Sequence, residues 1–331
     1  MSLLHHARTI SSAYVFFERP YPSANAVLLL GPTPVLVDPG FGSDVPALLD
    51  WLAANGVEAD KLGCVVNTHY HSDHVGGNHA LQLQYGREVA AHAHDAAMVN
   101  SRDVNVCAAQ WLRQPVERYT VTRSLDEGDT IETGNAEWRV LHTPGHTRGH
   151  ISLFEPTTGV LIAGDAVHAN DVGWLNPALE GADSLVRSIE TIDRLRALAP
   201  RVSLSGHGPA TLDPEIAFQS ARRRFERWRA DPEASAWHAA KRILAYAAII
   251  EGGIDRDQIL TYLTESPWVS DFARSPFTTT PIEFAKTLLA DMLRSGGVVW
   301  RDDRLVAGAS HTPTNPSWPR SPVVPSQWRA R

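Results

Sequence analysis

Three histidines and an aspartate lie within six residues, in the string HYHSDH at residues 69–74. The string directly follows an apolar run that reads as a short buried strand. Imidazole nitrogens suit zinc and iron, and a carboxylate adds the negative charge that a second cation needs. In so compact a turn, His69 and His71 can point at one metal ion while Asp73 and His74 point at another. The string by itself therefore predicts metal binding at the end of a buried strand, and a pair of metals needs more ligands than these four.

Three further candidate ligands occur in similar settings along the chain. His146, Asp165 and His207 each follow a predicted strand and each have a glycine directly before them. Glycine permits backbone conformations that other residues avoid, so each loop can present its ligand at the end of a strand. This repeated arrangement is what a metal site at one edge of a pair of sheets requires. The predicted metal ligands are therefore His69, His71, Asp73, His74, His146, Asp165 and His207.

Composition limits the other classes of function. The 331 residues carry a net charge of −7, which disfavours a nucleic-acid partner. The two cysteines, Cys64 and Cys107, exclude a disulfide framework; they could form one bridge, and as isolated thiols they suit a reducing cytoplasm equally well. No secretory signal is recognisable, and the longest apolar run near the beginning is too short to span a membrane. We expect a cytoplasmic protein that does not insert into a membrane.

Hydrophobic periodicity divides the chain near residue 212. Strands and helices interleave up to that point, which predicts an α/β catalytic domain over residues 1–212 with mixed sheets. The pattern then predicts a small, mostly helical, winged-helix-like domain over residues 213–308. Its expected elements are helices at 214–230, 233–250, 255–264 and 281–295, followed by a hairpin at 298–306 with a tight Asp-Asp turn.

The last segment, residues 309–331, is rich in proline. Five prolines recur at every third position from Pro313 to Pro325, which is the period of a polyproline II helix. Trp318 and Trp328 could pin this tail onto the domain or onto a second copy of the chain, which leaves a homodimer open. We favour a terminal extension without a fixed structure.

The ligand motifs together resemble those of the metallo-β-lactamase-fold hydrolase superfamily over about residues 10–212. The resemblance implies an αββα sandwich. It implies one metal site formed by His69, His71 and His146, and a second formed by Asp73, His74 and His207. Asp165 would bridge the two metals, and Asp38 would support the site from behind.

Departures from the family pattern narrow the branch. Asp165 stands where true metallo-β-lactamases have Cys or Ser, and His71 stands where the flavodiiron oxidoreductases have Glu. The string TPGHTRGHI at 143–151 is similar to glyoxalase II, but residues 166–174 do not match the glutathione-thioester pattern of that enzyme. The part after residue 213 loosely resembles the helical or winged-helix extension of some relatives of this branch.

We therefore expect a metal-dependent hydrolase in which a hydroxide that bridges two divalent metals attacks an ester, thioester or lactone. Asp73 and Asp165 would orient the hydroxide or relay its proton. Zinc is the expected metal, with iron and manganese as alternatives. The substrate would be a small molecule, carrier-linked if the arginines of 222–229 bind an anionic arm. A phosphodiesterase or nuclease that uses the same metals is the alternative function, followed by an iron-dependent redox enzyme.

Overall fold

The computed structural model describes residues 8–315 and Trp328, so Trp318 and most of the proline-rich tail lie outside the described residues. The strands of the described part are β1 Arg8–Ser11, β2 Tyr14–Phe17, β3 Ala26–Leu29, β4 Val35–Val37, β5 Cys64–Val66, β6 Glu88–His92, β7 Arg123–Leu125, β8 Thr130–Glu132, β9 Glu137–His142, β10 Ile151–Glu155, β11 Val160–Gly164, β12 Val202–Ser205, β13 Ile254–Asp255, β14 Val298–Arg301 and β15 Arg304–Ala307. The helices are α1 Val45–Ala54, α2 Ser72–Val75, α3 Asn78–Tyr85, α4 Ala93–Ser101, α5 Ala109–Leu112, α6 Pro177–Glu180, α7 Ser184–Ala197, α8 Pro214–Ala230, α9 Pro232–Ile250, α10 Ile259–Glu265, α11 Pro267–Arg274 and α12 Pro281–Ser295.

Two mixed sheets form the first part of the chain. One has seven strands in the order β1 to β7, and the other has five in the order β12-β11-β10-β9-β8. Side chains alternate between the two faces of a strand, so one strand can serve two cores. Strand β2 shows this: Tyr14 and Phe16 pack between the sheets, whereas Val15 and Phe17 pack beneath the outer helices.

Helices cover the outer face of each sheet. Helices α1, α3 and α4 pack on the seven-stranded sheet. Helices α7 and α8 pack on the five-stranded sheet through Ile192, Phe218 and Phe225. The layers therefore run helix, sheet, sheet, helix, which confirms the predicted αββα sandwich.

A second helical core lies after residue 213. Helices α9 to α12 and a three-stranded sheet of β13, β15 and β14 share it with Trp111 and Leu112 from the 95–120 segment. The predicted hairpin is confirmed, and its turn places Asp302 and Asp303 at φ 47° and 61°. The helix predicted at 255–264 was wrong at its start: α10 begins at Ile259, because residues 254–255 pair with β15. Helix α11 was not predicted.

The C-terminal segment returns to the first part of the chain. Thr312 donates its backbone N–H to the carbonyl oxygen of Tyr21 at 2.7 Å. Trp328 is 5% exposed, and its indole donates to the carbonyl of Val116 at 3.0 Å. At Trp328 the expectation of an extension without a fixed structure was therefore wrong. No helix among the described residues is long and apolar enough to cross a membrane.

Candidate metal centre and its cavity

All seven predicted ligands meet at one edge of the sandwich. His69 and His71 lie between β5 and the short helix α2, which itself carries Asp73 and His74. The other three ligands follow strands of the five-stranded sheet: His146 follows β9, Asp165 follows β11, and His207 follows β12. The compact turn and the three strand ends thus bring together residues that are far apart in the sequence.

Three imidazoles form the first donor set. The Nε2 atoms of His69 and His146 lie 3.1 and 2.9 Å from Nδ1 of His71. Histidines 69, 71 and 146 are buried, and one ring nitrogen from each lies within 4.8 Å of the others. Such a convergence of three imidazoles is a common arrangement for a zinc ion.

The second donor set combines a carboxylate with two imidazoles. Nε2 of His207 lies 3.1 Å from Oδ2 of Asp73, and Nε2 of His74 lies 4.0 Å from the same oxygen. The donor atoms of these three residues also lie within 4.8 Å of one another. The mixture of nitrogen and oxygen ligands suits zinc, iron or manganese.

Asp165 lies between the two sets. Its Oδ2 is 3.7 Å from Nε2 of His146 in the first set and 3.7 Å from Nε2 of His207 in the second. Its Oδ1 is 3.4 Å from Nε2 of His74. A carboxylate in this position can contact both members of a metal pair.

Charge and burial both fit bound cations. Burial lowers the pKa of His69 and His71 well below the usual value, so both rings are neutral and offer a lone pair. Burial alone would lower the pKa of His74 too, but nearby carboxylates, Asp165 first, outweigh it and raise that pKa. The excess negative charge therefore calls for a proton or a cation. Nε2 of His74 is buried and has no hydrogen-bond partner within the described part of the chain, which favours a cation.

Hydrogen bonds behind the ligands fix their orientation. Asp38 accepts from the backbone N–H and the hydroxyl of Thr68, and its Oδ2 lies 2.8 Å from Nδ1 of His74. Nδ1 of His146 donates to the carbonyl of Trp174 at 2.6 Å, so its Nε2 is left facing the cluster. Such outer contacts set the tautomer and direction of metal-binding imidazoles.

Close packing explains one of the glycines that precede the ligands. A Cβ atom at Gly206 would lie 2.2 Å from Oδ1 of Asp165 and 2.8 Å from Cε1 of His74. Because glycine has no side chain, the backbone can pass directly behind both ligand side chains at this position.

A cavity of about 280 Å³ opens beside the ligands. His71, Asp73, Asp165 and His207 line one end of it. Its apolar wall is formed by Leu112, Val172, Trp174, Ile243, Ala245 and Ile249. Tyr21 also lines the cavity, with its ring stacked on His207 at 4.8 Å between centroids.

The sequence predicted the residues that meet here but gave little indication of the cavity lining. His168 also lines the cavity, with Nε2 3.2 Å from Asp165. The ring of His150 accepts from the backbone N–H of Asp165 at 3.0 Å and so supports this candidate ligand. Tyr21 and the residues of α9 had no signal in the sequence, because tertiary packing alone brings them to the ligands.

The chain is similar to proteins of known family. A family model described as the metallo-beta-lactamase superfamily matches residues 22–207. A hydroxyacylglutathione hydrolase of Synechococcus sp. is 34% identical over 166 residues, which are 50% of this chain and 54% of that protein. The chain thus matches about half the length of that relative. An acyl-coenzyme A thioesterase of Gallus gallus is 34% identical over 199 residues, which cover 52% of this chain and 68% of that protein.

A solved structure supports the fold over a longer range. A metallo-beta-lactamase family protein from Thermus thermophilus superposes with a TM-score of 0.56 at 22% identity. The superposition covers 90% of this chain and 100% of that protein. At this identity the likeness concerns the fold alone.

Proposed function

This chain belongs to the metallo-beta-lactamase superfamily, and we propose that it is a two-metal hydrolase that cleaves thioesters. The observation that carries the proposal is the pair of donor sets beside the cavity, with Asp165 lying between them. We assign the first metal to His69, His71 and His146, and the second to Asp73, His74 and His207. Two divalent cations held there would act as Lewis acids and lower the pKa of water.

Carboxylates of the protein would position the attacking water and take part in the transfer of its proton. Hydrolysis forms a bond between a water oxygen and the carbonyl carbon, breaks the carbon–sulfur bond and leaves a proton for the thiolate. Burial alone would raise the pKa of Asp165, but the charges of His207, His74 and His168 outweigh it and hold that pKa well below its usual value. The ionised carboxylate can therefore orient the attacking water, and we assign the relay of its proton to Asp73 and Asp165, which both line the cavity.

The names of the matched relatives support thioesters as the acyl substrates of this chain. One matched relative is named an acyl-coenzyme A thioesterase, and the hydroxyacylglutathione of the other is itself a thioester. The departure of residues 166–174 from the glutathione-thioester pattern argues for a different thiol or acyl group in this chain. We propose zinc as the metal, and iron or manganese would use the same ligands.

The basic face of α8 gives little support to the phosphodiesterase alternative. Arg222 pairs with Asp193 at 3.0 Å, and Arg229 pairs with Glu226 at 2.6 Å. Arg224 lies 3.4 Å from Asp171. Because acidic neighbours offset these charges, the face is a poor match for a phosphate backbone.

A substrate panel with one ligand variant tests the proposal. Metal-loaded protein should hydrolyse thioesters with a higher kcat/KM than lactones, simple esters or phosphodiesters. Asp165→Ala should reduce bound metal and lower kcat/KM by at least about 100-fold, the scale on which one transition-state-stabilising group acts. Asp60→Ala, at an exposed position, is the matched control. Full activity in metal-loaded Asp165→Ala, or a preference for phosphodiesters, would contradict the proposal.

A further inference from the structure

The cavity beside the ligands has two unlike ends. Candidate metal ligands line one part of it, and the apolar wall defined above lines another, with polar side chains among them. The wall draws on three separate segments: Leu112 from α5, Val172 and Trp174 from the loop after β11, and three residues from α9. Burying an apolar group against such a surface contributes about 25 cal/mol for each Å² removed from water.

Most polar groups in the lining are already paired within the protein. Nε of Arg242 donates to Asp171 at 3.0 Å. The side-chain oxygen of Gln114 accepts from Ser72 at 2.6 Å, and the hydroxyl of Tyr246 donates to the carbonyl of Pro22 at 3.0 Å. An amide-rich thiol carrier would find few partners here, and an amide buried without a partner costs free energy.

Tyr21 is an exception, and it lies beside the candidate ligand His207. Its ring stacks on His207 with an angle of 21° between the planes. Among the described residues its hydroxyl has no hydrogen-bond partner. The negative charges of Asp165 and Asp73 are close enough to act on this hydroxyl. A neutral phenol is a donor at neutral pH, so this group suits the carbonyl oxygen of a substrate.

We propose that the cavity binds the acyl half of the thioester and that the thiol carrier stays outside. The preferred acyl group is apolar and longer than acetyl, and it lies along the apolar wall with its carbonyl at the metal end. This assignment rests on the proposed thioester hydrolysis. The volume of about 280 Å³ is close to the lower bound of about 300 Å³ for ligand pockets, so the acyl group is of medium length. A lactoyl group is a poorer fit, because it is too short to cover the apolar wall and leaves that wall in contact with water.

Ala245 is the wall residue at which a larger side chain can be introduced to narrow the cavity. The spacing of Arg242, Ala245, Tyr246 and Ile249 puts all four on one face of α9, the face that lines the cavity. Ala245 is half-buried and packs beside the helical core, but it also lines the cavity, so a larger side chain there would occupy cavity volume. Ala290 is an exposed alanine on α12 outside the cavity lining, and Ala290→Phe is the matched control.

The first arm of the test compares thioesters of one thiol that differ in the acyl group. For the metal-loaded wild type, kcat/KM should rise at least about tenfold from acetyl to octanoyl, the effect expected when methylenes enter an apolar pocket. Exchange of coenzyme A for N-acetylcysteamine should change kcat/KM less than exchange of the acyl group. Ala245→Phe should lower the octanoyl-to-acetyl ratio at least about tenfold, and Ala290→Phe should leave it unchanged. A flat acyl profile, a preference for lactoyl over octanoyl, or equal effects of the two variants would overturn the proposal.

The second arm measures binding without hydrolysis. By calorimetry, octanoate should bind the metal-loaded wild type at least about tenfold more tightly than acetate or lactate. This preference should weaken in Ala245→Phe and not in Ala290→Phe. If octanoate shows the preference but no thioester is hydrolysed, the proposed reaction fails and the apolar site stands. If thioesters are hydrolysed without any acyl preference in either arm, the reaction stands and the assignment of the cavity fails.

Discussion

At the scale of single residues, Asp38 links the fold to the metal centre. It is 3% exposed and lies at the end of β4 with φ at 55°, a conformation that Asp and Asn tolerate better than other residues with a side chain. One of its oxygens holds the backbone of Thr68, and the other lies against His74. A single carboxylate therefore fixes both the start of the ligand turn and the direction of one ligand.

We predict that Asp38→Asn lowers the affinity for the bound metal by about 10- to 100-fold, the usual effect of losing a group that orients a metal ligand. Asn keeps the size of the side chain and tolerates the backbone conformation, but its amide group cannot accept hydrogen bonds from both sides. Competition with a chelating indicator measures the affinity. An affinity equal to that of the wild type would show that Asp38 does not orient His74.

The candidate ligands could be predicted from the sequence because histidine and aspartate are residue types that commonly bind metals. The spacing within residues 69–74 is local, and the glycines before His146, Asp165 and His207 mark the remaining strand ends. The lining residues Leu112 and Ala245 carry no such mark. An alanine on a cavity wall and an alanine in a helical core look the same in sequence.

At the scale of elements, α8 and α9 meet the loop after β11 at one ionic cluster. Nε2 of His238 lies 3.0 Å from Asp171, which also accepts from Arg242 and lies near Arg224. Burial, reinforced by the charge of Arg242, lowers the pKa of His238 to about 4 in spite of the bond to Asp171. His238 is therefore neutral in the fold at neutral pH.

This pKa predicts a pH dependence of stability. The folded protein binds fewer protons at His238 than the unfolded chain does between about pH 6.5 and pH 4, so the free energy of unfolding must fall as the pH falls through that window. The contribution is up to about 3 kcal/mol. His238→Gln keeps a donor near the position of Nε2 but cannot take up a proton, so it should lose less stability than the wild type between about pH 7 and pH 4. Urea denaturation at both pH values gives the comparison, and equal losses would contradict the account.

Helix α11 shows where periodicity is too weak to predict an element. It has eight residues, Pro267–Arg274, too few for an apolar spacing to repeat. Trp268, Val269 and Phe272 are buried only because the helix packs into the second core beside α12. By contrast, the long helices α8, α9 and α12 were predicted to within a residue at each end, because proline marks their beginnings and several turns repeat the pattern.

At the scale of the whole molecule, the cavity is a shared structure. The sandwich supplies the candidate metal ligands, while α9 and Ala309 supply part of the lining. We propose that residues 1–212, 213–308 and 309–331 are the units of the chain. On this division, residues 1–212 carry the candidate metal ligands but form only part of the lining of the substrate cavity. The sequence could predict the layers of the sandwich, whereas the return of the C-terminal segment to Tyr21 and Val116 depends on long-range contacts.

The claim that two metal ions serve this cavity is tested most directly by metal titration. Protein stripped with a chelator is titrated with zinc while bound metal and hydrolysis of an octanoyl thioester are measured together. We predict that the stripped protein is inactive and that activity is complete when two ions are bound to each chain. Full activity in the stripped protein, or an intact chain that binds no metal, would contradict the account.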